Sequence, residues 1–206
     1  MPIFISEIFS IVNIPSVIYS SKHEREVSLI YSIVTYGNEA LRKKAIPVVD
    51  ISNDIRKLAQ SMFETMYASN GVGLAAEQVG RTESICIIDI PKDAEKVECR
   101  EKNASIEIPM ILINPQIIAS EGEQRDEEGC LSFPQIGVQV TRAYQVTVSY
   151  TTLEEVRKTV TAYGLLARAV QHELDHLSGI LLVDQMNSIQ KLSFSGKLKR
   201  LQKQNR

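Results

Sequence analysis

Two histidines four residues apart, with a glutamate between them, constrain this chain more than any other feature. Residues 171–180 read QHELDHLSGI and hold His172 and His176, two of the three histidines in 206 residues. On a helix, positions i and i+4 project from one face a single turn apart, so both imidazoles can reach one metal ion. Glu173 occupies a neighbouring part of the same surface. Leu165, Leu166, Ala169 and Val170 share a face with Glu173 and His176, which turns an acid and a histidine toward the apolar side. Buried polar groups need partners, and metal binding supplies them. The competing reading is a solvated helix whose polar face carries HExxH by chance.

The residues around this helix predict its setting. Tyr163-Gly164 turns the chain into a helix over 165–177, which Gly179 can end as a C-cap. An amphipathic helix follows Ser52 or Asn53 as N-cap, with Ile55, Leu58, Ala59, Met62, Phe63 and Met66 as its buried stripe, and stops near Ser69-Asn70-Gly71. Residues 84–90, 138–140, 145–150 and 156–162 read as strands. Residues 110–120 read as two strand-like runs broken at Asn114-Pro115, and the polar stretch 91–109 as a loop or hairpin excursion. The predicted class is α+β: antiparallel sheets around the HExxH helix, an N-terminal helix, and a C-terminal helical tail.

Composition narrows the function classes. A net charge of −2 gives no overall electrostatic reason to expect DNA as a partner. Cys86, Cys99 and Cys130 form no CxxC pair and leave one unpaired under any disulfide scheme, which suits a reducing compartment, so a cytoplasmic location is expected. No apolar run is long enough to cross a bilayer, so no membrane role is expected. Residues 1–29 form an extension without a basic n-region, interrupted by Glu7 and Pro15, which argues against a secretory signal. A peripheral arm or a start placed too far upstream are the readings left.

A two-histidine site needs a third protein ligand. Downstream of His176 only Asp184 is available as an acid. Cys130, in EEGCLSFP, is the better candidate: a thiolate is a strong ligand for zinc or ferrous iron, and Cys with two His leaves a position open for water. The segment GVGLAAEQVG at 71–80 has small residues where a core would want bulk. It is neither a P-loop nor a dinucleotide-binding loop, because the required lysine and third glycine are not in place. Glycine there suits either a turn or the close approach of a ligand to backbone.

GVGLAAEQVG, EEGCLSFP and QHELDH, in this order, resemble the three signature motifs of the peptide deformylases, over roughly residues 30–186. The resemblance implies removal of the formyl group from formylmethionyl nascent peptides by one divalent ion per chain, usually Fe2+, with Zn2+, Ni2+ or Co2+ as replacements. It makes Cys130, His172 and His176 the metal ligands and Glu173 the general acid/base. The Gln78 amide and the Leu131 backbone N–H would face the formyl oxygen. Gly71, Val72, Gly73 and Leu131 would contact the peptide, with Val72, Leu131 and helix residues before His172 lining a methionine pocket near Arg168. One departure stands out: the family usually has proline where Glu77 stands. The five catalytic positions are intact, so retained activity is expected.

Two other readings stay open, an HExxH peptidase cleaving internal peptide bonds and a structural metal module. The domain plan is an extension at 1–29, a catalytic domain at 30–186 and a basic, helical tail at 187–206. The tail holds Lys191, Lys197, Lys199, Arg200, Lys203 and Arg206 with no acid after Asp184. It reads either as a solvated terminal helix or as a docking surface for an anionic partner such as ribosomal RNA.

Overall fold

The computed structural model describes residues 29–205. All but the last residue of the extension expected at 1–29 lies outside them. The architecture is a mixture of helices and antiparallel sheets.

Helix α1 (Asn53–Ala68) follows Ser52 and buries Ile55, Leu58, Ala59, Met62 and Met66. The chain then forms β1 (Gly73–Ala75), a 3-10 turn at Ala76–Val79, and β2 (Ile85–Ile88), all four of whose side chains are buried. Strand β3 (Met110–Glu121) is one element where two runs are expected from the sequence. The Asn114-Pro115 break is absorbed as a register shift between Ile113 and Gln116, with Asn114 at φ +50°. The Asn114 side chain stabilises this bulge by accepting from Val48 N at 2.8 Å and donating to Val48 O at 2.7 Å.

Within 91–109 lies a short helix, α2 (Val97–Lys102), in place of a plain loop. It buries only Cys99, too little for a periodic signal. Strands β4 (Gln124–Glu128) and β5 (Val138–Arg142) form a separate two-stranded sheet. Strands β6 (Gln145–Thr151) and β7 (Arg157–Tyr163) complete a five-stranded antiparallel sheet of order β1-β2-β3-β6-β7, so β1 is an edge strand.

Helix α3 (Gly164–Leu177) packs on β1, β2, β3, β6 and β7 and on the 3-10 turn. Its apolar side chains Leu166, Ala167, Ala169 and Val170 join the sheet residues Cys86, Ile88, Leu112, Val146 and Val148 in one core. A second core gathers Leu41, Phe133, Ile136, Val138 and Val140 with Leu198 and Leu201 from α5 (Ser195–Gln204), which follows α4 (Ser188–Ser193). The terminal helix is therefore docked along its apolar face, while Lys197, Lys199, Arg200 and Lys203 stay exposed. Arg42 pairs with Asp184 and clips this end of the chain to the turn before α1.

Candidate metal centre and active site

Helix α3 is held at both ends, which fixes its polar face. At its start Leu166 N donates to Glu95 Oε1 at 3.3 Å, and Asn103 holds that carboxylate at 2.8 Å. At its end Gly179 adopts φ +73°, the left-handed conformation expected of a C-cap, and Ala45 N donates to the free carbonyl of Leu177 at 2.8 Å. His172, Glu173 and His176 thus project from a rigid element, with Glu173 and His176 buried.

Cys130 lies in the turn between β4 and β5. The structure brings it to α3 from the second sheet: Sγ stands 3.2 Å from His176 Nε2. Ligand atoms of Cys130, His172 and His176 all lie within 4.8 Å of one another. The two imidazole centroids are 5.0 Å apart at 76°. Asp184, the downstream acid, is committed elsewhere: it pairs with Arg42 and accepts from Leu181 N at 2.8 Å.

His172 is oriented by a residue that sequence reasoning passed over. Glu128 Oε2 lies 3.0 Å from His172 Nδ1, which leaves Nε2 as the ring nitrogen that faces Cys130. Glu128 also accepts from Arg142 at 2.9 and 3.0 Å and from Arg168 at 2.7 Å, while Arg142 reaches Asp175 at 2.6 Å. Burial works against the charge on Glu128, but hydrogen bonds from His172 and Arg142 outweigh it and hold its pKa well below the usual carboxylate range. For His172, likewise, burial opposes the charged form, and bonds to Cys130 and Glu128 prevail and raise its pKa. His176 goes the other way, lowered by burial and then by the charges of His172 and Arg142.

Arg168, expected near a methionine pocket, instead spends its guanidinium on Glu128, Val140 O and Gln124 O. The sequence signal for this network is faint. QRDEE at 124–128 has no apolar alternation, because the position that β4 buries most deeply is itself an acid, Glu128.

Gln78 is brought to the same place. Its Oε1 accepts from Ala75 N at 2.9 Å, and its Nε2 points at Cys130 Sγ, 3.6 Å away, and at Ser132 Oγ, 3.2 Å away. Leu131 lies against Gly71, where an added Cβ would overlap Leu131 Cδ1. At Gly73 the close neighbour is Glu173: a Cβ there would overlap its Oε1. Glycine in β1 thus leaves room for the acid on α3 where it stands. Val72 O is taken by Asp89 N at 2.9 Å.

Glu173 is 4% exposed, its Oε2 has no hydrogen-bond partner among the described residues, and burial pushes its pKa up to about 7. Glu77, the departure noted in GVGLAAEQVG, is fully buried in the 3-10 turn with both oxygens unpartnered among the described residues, and burial pushes it up to about 8. A carboxyl poised near neutrality beside three side chains able to hold a metal ion can carry protons at working pH.

A family model described as polypeptide deformylase matches residues 30–192. A peptide deformylase of Desulfitobacterium hafniense is 46% identical over 155 residues, covering 75% of this chain and 93% of that one. One of Thermodesulfovibrio yellowstonii is 42% identical over 170 residues, covering 82% and 97%. The crystal structure of the peptide deformylase from Thermus thermophilus superposes with a TM-score of 0.74 at 33% identity, covering 86% of this chain and all of that one. With the family model spanning most of its length and relatives this similar, the chain belongs to the polypeptide deformylase family.

Proposed function

We propose that this protein removes the N-formyl group from the terminal formylmethionine of nascent polypeptides and releases formate. The observation that carries the reading is the convergence of Cys130, His172 and His176 within 4.8 Å, beside buried Glu173 on the same helix. Peptide deformylases are metal-dependent, and this donor set fits a divalent ion: one sulfur and two ring nitrogens, with one imidazole already braced by a carboxylate. When bound by such a set, a divalent ion supplies Lewis acidity and lowers the pKa of water to about 7. We assign Fe2+ as the physiological ion, with Zn2+, Ni2+ and Co2+ as replacements, since thiolate with imidazole accepts all four.

The chain's own groups then divide the work. Glu173 takes a proton from water as oxygen attacks the formyl carbon, and returns it to the amine nitrogen as the C–N bond breaks. The Gln78 amide, already aimed at Cys130, and the Leu131 N–H hold the charge that develops on the formyl oxygen; one such donor is worth about 10²–10³ in rate. Residues 71–73 lead into β1, an edge strand among the described residues, where an extended peptide can add as a strand. Val72 and Leu131 flank that approach.

In the same reading residues 30–186 form the catalytic domain, with sheet on both sides of α3 and 1–29 as an extension. Residues 187–206 form a tail whose exposed lysines and arginine dock on ribosomal RNA. The described residues hold no helix long and apolar enough to cross a membrane, and the free thiols Cys86, Cys99 and Cys130 favour action in the cytoplasm.

The decisive experiment is an anaerobic formate-release assay on formyl-Met and acetyl-Met peptides with the iron-, zinc-, nickel- and cobalt-loaded protein. Formate from the formyl peptide alone is expected. No formate from any form that holds one ion per chain would sink the reading.

A further inference from the structure

Strand β3 outruns its neighbour on one side. Residues 110–113 pair with β2, but β2 extends no further: the chain ahead of it turns out of the sheet, with Ser84 N donating to Ile46 O and Asn114 N to Ser84 O, both at 2.8 Å. Residues 116–121 pair with β6 alone, so among the described residues no strand lies along their other edge. All six are exposed.

A free edge presents unpaired backbone N–H and C=O groups, and proteins blunt such edges with charges or proline. Here Pro115 and Glu121 stand only at the ends. The run between them, Gln116-Ile117-Ile118-Ala119-Ser120, is uncharged and holds two isoleucines. Ile118 is 58% exposed, and a register shift leaves it without a partner on β6. At its inner end the edge opens into a groove that Gln116, Ile117 and Ile118 line together with Lys44, Ser84 and Leu177 of α3. Lys44 is exposed, and neither it nor Glu121 has an ion-pair partner among the described residues.

This edge is complementary to itself. Two copies brought together antiparallel about a two-fold axis at Ile118 set Ile118 opposite Ile118, Ile117 opposite Ala119 and Gln116 opposite Ser120, so that apolar meets apolar and polar meets polar. Centring the axis on Ile117 or Ala119 instead sets Ile118 against Gln116 or Ser120. The Ile118 register also carries Glu121 of one copy opposite Pro115 of the other, at the end of the edge where Lys44 lines the groove. Symmetry makes that pairing of opposite charges twice.

We propose that this protein forms a symmetric dimer through residues 116–121 of β3, the two five-stranded sheets joining edge to edge, with Lys44 of each copy against Glu121 of the other. Lys44, Ile118 and Glu121 take no part in the proposed catalysis, so the dimer stands or falls independently of the deformylase reading.

The test is sedimentation of the full-length, metal-loaded protein from micromolar to hundreds of micromolar concentration. The parent is expected to pass from monomer to dimer. Ile118→Lys, which sets two charges against each other on the axis, is expected to stay monomeric with its circular dichroism spectrum and metal content unchanged. Lys44→Glu is expected to weaken the dimer by roughly ten-fold, because two attractions become two repulsions, and adding Glu121→Lys is expected to recover it. Under a mild oxidant Ile118→Cys is expected to form a disulfide dimer faster than Val156→Cys, a similarly exposed position, at 51%, between β6 and β7. A parent that stays monomeric throughout overturns the proposal and leaves the edge to another occupant. A dimer that survives Ile118→Lys, a charge swap that recovers nothing, or cross-linking no faster for Ile118→Cys than for Val156→Cys overturns it as well.

Discussion

Glu128 and His172 meet at 3.0 Å, Oε2 to Nδ1, across the gap between the second sheet and helix α3. The same carboxylate holds Arg142 and Arg168, so the imidazole is braced by a buried group that is itself fixed from two other sides. An imidazole held in this way has its tautomer and ring plane set before any ion arrives.

Glu128→Ala is therefore expected to weaken metal binding by about 10–100-fold, measured by competition with a chelating dye. It also takes a carboxylate from two buried guanidinium groups, leaving Arg142 with Asp175 and Arg168 with backbone carbonyls alone, and removing one partner of a buried pair costs roughly 3–5 kcal/mol in chemical denaturation. Unchanged affinity would show that His172 needs no brace.

Glu128 and Glu77 are expected to act on stability with opposite pH dependence. Glu128 titrates lower in the folded chain than its ordinary 4.5, so its contribution is complete above that value and is lost as pH falls below it. Glu77 is raised from 4.5 to about 8, so its folded state is favoured at low pH and loses ground as pH climbs between those values. Melting curves should show Glu77→Gln gaining on the parent from pH 5 to pH 8 and running parallel to it above.

The proposed ligand and the proposed proton carrier separate by substitution. Cys130→Ser should lose most bound metal, whereas Glu173→Ala should keep one ion per chain and lose about 10²–10⁴ in kcat. Elemental analysis beside the formate assay reads both. A Cys130→Ser protein with full metal content would return the third ligand to another residue.

Gly73→Ala should cut turnover by on the order of 10²-fold, because the added methyl overlaps Glu173 Oε1 and displaces the carboxylate. Gly129→Ala, beside Cys130, meets nothing within 4 Å and should leave the melting temperature unchanged. Equal kcat for Gly73→Ala and the parent would show that Glu173 works from another position.

The tail must be tested by charge and not by truncation, because Leu198 and Leu201 belong to the second core. Changing Lys197, Lys199, Arg200 and Lys203 to Ser should leave the fold intact and reduce ribosome co-sedimentation. The salt dependence should fall with each phosphate contact removed. Undiminished, salt-insensitive binding would rule the tail out as the docking surface.

The local elements were legible because their signals are local. Six apolar positions at helical spacing specify α1, and HELDH places two imidazoles and a carboxylate on one face of α3 before any tertiary contact exists. Cys130 could be named from thiolate chemistry together with the motif order. What the sequence could not contain is distance. That Asp184 belongs to Arg42 and Arg168 to Glu128 follows from which surfaces come together on folding. β4 escaped notice because the position it buries most deeply is an acid, a placement made tolerable only by arginines 14 and 40 residues further on.

The sequence by itself determined the order of the motifs and the helix that carries His172, Glu173 and His176. The tertiary structure decided the rest. It set Cys130 Sγ 3.2 Å from His176 Nε2, gave His172 its brace in Glu128, and enclosed Glu77 and Glu173 where neither can ionise freely. The physical reason is the same throughout: periodicity fixes which face a side chain occupies, but burial and the partners found there fix its charge.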